Sequence, residues 1–99
     1  MLFRSVGSTR SYIATNPRWR DWAGEYDLGS GFRIAVFERD GKLFIQGSGQ
    51  VAIEASEAGD DRIEVAAVGA QLQFRRDAGG KVVGMTLKQR GAVLEGVRK

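Results

Sequence analysis

Glu57, Asp60, Asp61 and Glu64 crowd one short stretch of this sequence. Four carboxylates so close together have the chemistry to hold a hard cation, but their spacing is not that of a calcium loop. A solvated acidic turn is therefore the simpler expectation. Gly29-Ser30-Gly31 and Gly47-Ser48-Gly49 are short enough to cradle a phosphate, and Gly79-Gly80-Lys81 ends on the right cation. The first two lack the third glycine of a dinucleotide fingerprint, and the last lacks the leading glycine of a phosphate loop. All three read as turns between strands. Arg18-Trp19-Arg20-Asp21-Trp22 interleaves cations with aromatics, as single-strand nucleic-acid binders do. It is short and stands alone, so the tryptophans are expected to cap one end of a fold, and no nucleic acid is expected as a partner.

Nucleophilic and metal chemistry have little to work with. The chain contains neither histidine nor cysteine, which removes the commonest acid–base catalyst, the commonest transition-metal ligand and any thiolate zinc site. Ser5, Ser8, Ser11, Ser30, Ser48 and Ser56 are none of them followed by lysine three residues on, so the Ser-x-x-Lys signature of penicillin-binding-protein-like hydrolases is missing. The sequence leads us to expect no catalytic residues, no bound metal and no cofactor.

The 99 residues and 42% apolar content suit one domain with one core. Charge is uneven. Arg4, Arg10, Arg18 and Arg20 against Asp21 leave +3 in residues 1–22, whereas basic and acidic side chains balance over 23–99. The main domain thus has no basic field for nucleic acid. No apolar run reaches the ~20 residues of a membrane-spanning helix, and the opening residues do not read as a signal peptide.

The elements that would position any site are strands. Residues 1–15 lack either period and read as a tail or linker. Asn16 is a good N-cap and Pro17 suits a first helical position, which predicts a single helical turn before Trp22. From residue 23 the period is two. Eight short strands are expected: Glu25–Leu28, Phe32–Val36, Leu43–Ile45, Val51–Ala55, Arg62–Val65, Ala70–Arg75, Val82–Gln89 and Ala92–Arg98. The domain division is then 1–22 for the tail with its helical turn and 23–99 for the strands. Asp40-Gly41 and Arg90-Gly91 are type I′ hairpin signals. They set Val36 opposite Ile45, Phe37 opposite Phe44 and Leu87 opposite Leu94.

That register predicts an apolar inner face built from residues such as Tyr26, Ile34, Val36, Leu43, Ile45, Val51, Ile63, Leu72, Phe74, Val83, Met85, Leu87 and Leu94. The other face is mostly charged or amide-bearing. One wet face and one dry face over eight strands predict an all-β fold, a small antiparallel up-and-down barrel whose large inner side chains fill it. Phe37 and Phe44 fall side by side on the face that should be wet. They are a candidate interface, covered either by residues 1–22 or by a neighbouring domain. Arg98 falls on the inner face, where an unpaired charge is costly. In a closed meander the first and last strands are neighbours, so Arg98 is expected to close the barrel against Tyr26 or Trp22.

Trp22-Ala23-Gly24-Glu25-Tyr26-Asp27-Leu28 resembles the "YxGxYxL" opening of a known domain, with Trp22 in the place of tyrosine. Later segments follow in order: Gly31-Phe32-Arg33-Ile34, Asp40-Gly41-Lys42-Leu43-Phe44-Ile45-Gln46, Leu72-Gln73-Phe74 with Asp77, Gly80-Lys81-Val82 with Gly84-Met85-Thr86-Leu87, then Gly91 and Arg98. The stretch from Trp22 to Arg98 resembles the lipocalin-like domain of unknown function at the C-terminus of β-lactamase-type serine hydrolases. The resemblance implies an accessory barrel beside a separate serine hydrolase domain, in proteins that are often exported. It carries over no catalytic residue. Two functions follow as expectations. One is a non-catalytic accessory domain that packs on a hydrolase domain or self-associates. The other is a carrier of a small apolar ligand.

Overall fold

The computed structural model describes residues 16–99, apart from the side chain of Arg18; the expected tail over 1–15 lies outside the described residues. One short helix, α1 (Pro17–Trp22), leads into eight strands: β1 (Gly24–Asp27), β2 (Arg33–Arg39), β3 (Lys42–Gly47), β4 (Ile53–Gly59), β5 (Arg62–Val65), β6 (Ala70–Arg76), β7 (Val82–Gln89) and β8 (Ala92–Arg98). A single 3₁₀ turn, Ala66–Val68, joins β5 to β6. Every strand pairs antiparallel with its neighbours in the chain, and β8 returns to β1, so the sheet is a closed eight-stranded up-and-down barrel. Closure removes both sheet edges and gives the apolar face an inside.

The two hairpin signals set the register that they imply. Asp40-Gly41 and Arg90-Gly91 each have positive φ at both residues, the conformation a type I′ turn demands. Val36 then faces Ile45, Phe37 faces Phe44 and Leu87 faces Leu94. The core holds Tyr26, Val36, Leu43, Ile63, Val65, Leu72, Val82 and Met85 fully buried.

Two departures from strict alternation have local causes. Arg75 pairs with Gly84 but Arg76 pairs with Val82, so Val83 is an extra residue in β7. The bulge turns Val82 inward and leaves Val83 39% exposed on the outer wall. The strand expected over Val51–Ala55 is displaced to Ile53–Gly59, with Val51 left in the preceding loop. Ser56-Glu57-Ala58-Gly59 lacks an apolar alternation, yet its backbone pairs with β5 across a second irregularity between Glu57 and Gly59.

Candidate functional site

The two ends of the barrel are built differently. At one end lie α1 and the turns β2–β3, β4–β5 and β6–β7. Trp22 is 2% exposed there, and its ring stacks on Phe74 at 5.1 Å between centroids. Asn16 and Pro17 start the helical turn, and Arg20 and Ala23 donate backbone N–H groups to Asn16 and Trp19 carbonyls. That turn drops Trp22 into the barrel as a plug. The Trp22 indole donates to Asp61 Oδ1 at 3.1 Å and the Trp19 indole donates to Glu57 Oε2 at 2.7 Å. Both tryptophans of the Arg-Trp motif are thus engaged with the barrel.

The acidic stretch is divided by the same geometry. Asp61 accepts from Arg76 Nε at 2.8 Å and Nη2 at 2.7 Å, and Arg76 reaches Asp21 at 3.3 Å. The Arg76 hydrogen bonds hold the Asp61 carboxyl below its ordinary range; partial burial opposes them and the Trp22 N–H adds to them. Glu64 instead points out of β5 towards Gln71. Among the described residues no group of acidic side chains converges as a metal site.

Arg98 lies at the seam, opposite Tyr26. The seam ladder is short, with Tyr26–Arg98 and Asp27–Val97 paired and Lys99 N–H donating to the Glu25 carbonyl at 2.8 Å. The guanidinium extends it. Nη1 donates to Asp21 O at 2.6 Å and Nη2 to Ala23 O at 2.5 Å. Its carbon sits 5.8 Å from the Tyr26 ring centroid, within cation–π range. Gly24 leaves the room for this, since a Cβ there would meet Arg98 Nη2 at 3.1 Å. Tyr26 is fully buried, donates its hydroxyl to the Trp22 carbonyl at 2.6 Å, and has its pKa pushed up to about 12, chiefly by burial. Trp22, Tyr26 and Arg98 therefore share one end of the barrel.

The opposite end is open. The loops β1–β2, β3–β4 and β7–β8 and the 3₁₀ turn surround a cup of about 250 Å³. Ile34, Ile45, Ala70 and Leu87 make its buried base, and Phe32, Ile53 and Val68 make half-buried walls. Leu94 at 42% exposed and Val51 at 77% exposed stand on its rim. Two carboxamides, Gln50 and Gln89, also line it, and among the described residues no charged side chain does so. Gln89 Nε2 donates to the Val68 carbonyl at 2.9 Å. The packed interior expected from the sequence thus stops short of this end. No signal in the sequence marks the cup strongly. Gln50 and Gln89 read as ordinary polar strand-end residues, and the empty space depends on the sizes of side chains from six separate segments.

Phe37 and Phe44 do lie together on the outer wall, stacked at 6.0 Å between centroids. The guanidinium of Arg39 sits over the Phe44 ring at 4.7 Å, and both rings are half-buried. Val97, 62% exposed, Val93, 57% exposed, and Val83 are the more open apolar residues of the wall, and Val97 and Val83 line one surface hollow. The turns read as possible phosphate loops are strand connections: Asp27 accepts from Gly29 N–H, and Asp77 accepts from Gly79 and Lys81 N–H. No described helix is long and apolar enough to cross a membrane. No family model, curated protein or solved structure matches the chain.

Proposed function

We propose that this chain is a non-catalytic accessory barrel that packs on a β-lactamase-type serine hydrolase domain or on a second copy of itself. The observation that carries the reading is the pair of exposed valines on the outer wall, Val83 and Val97, which stand in water beside the barrel seam in a hollow rimmed by Arg20, Asp21, Lys81, Arg98 and Lys99. The stacked Phe37–Phe44 pair gives a second apolar area on β2 and β3. The lack of histidine, cysteine and Ser-x-x-Lys supports a role without chemistry of its own, and the resemblance over Trp22–Arg98 supplies the kind of partner.

The test is sedimentation of the purified chain alone and with a β-lactamase-type Ser-x-x-Lys hydrolase domain. A complex or dimer of defined stoichiometry, weakened by Val97→Glu or Phe44→Glu without loss of the fold, supports the proposal. A monomer that ignores the hydrolase domain overturns it. A second reading, a carrier of a small apolar ligand, is favoured by one specific observation: the apolar cup at the open end.

A further inference from the structure

We infer that the open cup binds a small uncharged molecule, one aromatic ring or a medium-length aliphatic chain, that carries a single hydroxyl, carbonyl or amide group; this rests on the carrier reading. Three observations fix the class. The first is size. An apolar cavity of about 150 Å³ accepts benzene, and pockets for drug-sized ligands begin near 300 Å³. A cup of about 250 Å³ falls between them, so it can enclose one ring or a medium-length chain but not the whole of a long fatty acyl chain or a large dye.

The second is charge. Among the described residues, no cationic or anionic side chain lines the cup. A carboxylate or ammonium entering it would be desolvated without a partner, and that is costly. The third is the pair of carboxamides. Gln89 spends one N–H on the Val68 carbonyl, which orients its amide and leaves its oxygen as an acceptor. Gln50 is held across the mouth above Gly47, where a Cβ would meet Gln50 Oε1 at 2.7 Å and the Phe32 ring at 3.1 Å. The missing side chain at Gly47 is what lets the Gln50 amide and the Phe32 ring settle onto the cup. A few polar groups among apolar walls are the usual means of orienting a ligand.

The experiment is a titration of the full chain with toluene, p-cresol, 1-octanol, octanoate and Nile red, read from methyl NMR shifts and calorimetry at pH 7. Both tryptophans lie at the plugged end, so their fluorescence serves as a control that should stay silent. We expect p-cresol and 1-octanol to bind saturably at one site, with shifts centred on Ile34, Ile45, Ile53 and Leu87. Octanoate should bind on the order of tenfold more weakly than 1-octanol, and Nile red should show no saturable binding. Gln50→Leu should weaken p-cresol about fivefold and leave toluene unchanged. Ile53→Trp, checked by its melting curve, should fill the cup and abolish binding.

Equal binding of octanoate and 1-octanol would overturn the uncharged class while leaving a carrier in place. An equal effect of Gln50→Leu on p-cresol and toluene would overturn the role of the carboxamide. Failure of toluene, p-cresol and 1-octanol alike would overturn the carrier reading, and this inference with it.

Discussion

The plugged and open ends of this barrel are made from the same strands and differ in what fills the last layer. At the plugged end the chain spends a helix, an indole, a tyrosine and an arginine on closing the space, and each polar group there has a partner. At the open end the strands finish in short loops, and the Phe32 ring lines the wall of the cup without filling it. The closing layer at one end is held by contacts between residues far apart in sequence, such as Trp22 with Phe74 and Arg98 with Ala23. The lesson is that the long-range closing contacts and the unfilled apolar cup are separated along the barrel axis. The end that carries the long-range contacts should dominate stability, and the end with the unfilled cup should be free to vary.

The largest expected difference comes from Trp22→Ala. It removes the stacked ring, opens a cavity and leaves Asp61 without the indole N–H, so we expect a loss of about 3–5 kcal/mol. Chemical denaturation checks this. A loss below about 1 kcal/mol would mean that the plug is an ornament and would erase the contrast.

Arg98 comes next. Arg98→Ala should cost about 2–3 kcal/mol, because charge-assisted hydrogen bonds to Asp21 O and Ala23 O are lost at a seam with few ladder pairs. Arg98→Lys should cost nearly as much, since an ammonium lacks the planar fork that reaches two carbonyls and faces Tyr26. Variants that melt with the parent chain would show that the backbone ladder closes the barrel unaided.

Dependence on pH should also belong to the plugged end. The folded pKa of Asp61 is depressed, so its contribution is present above the unfolded carboxylate value of about 3.9 and is lost as pH falls through the lower folded value. Thermal melts should therefore drop on acidification below about pH 4, and Asp61→Asn should flatten that drop. Tyr26 works in the opposite sense. Its pKa is raised from 10.0 to about 12, so the stability it contributes is complete below pH 10 and is lost as pH rises towards 12. Among the described residues no titratable group lines the cup at the open end, so that end should add nothing to either limb.

The smallest effect is expected at the rim. Val51→Ser should shift stability by no more than about 0.5 kcal/mol, because the side chain is largely in water already. A larger loss would show that Val51 packs in solution and that the mouth is partly closed.

The strand content, the meander and the hairpin registers were determined by the sequence itself. A period of two and the pairs Asp40-Gly41 and Arg90-Gly91 act between near neighbours, so the order of residues is enough to specify them. Closure could be argued from the strand count, and it brings Tyr26 and Arg98 to one seam because the first and last strands of a closed meander must meet. Tertiary structure alone decided the rest. The bulge that exchanges Val82 for Val83 depends on how β7 lies against Arg75 and Arg76. The shifted β4 depends on β5 accepting a polar strand across a bulge. The division into a plugged end and an open cup depends on volumes added up from side chains that no short window of sequence contains together.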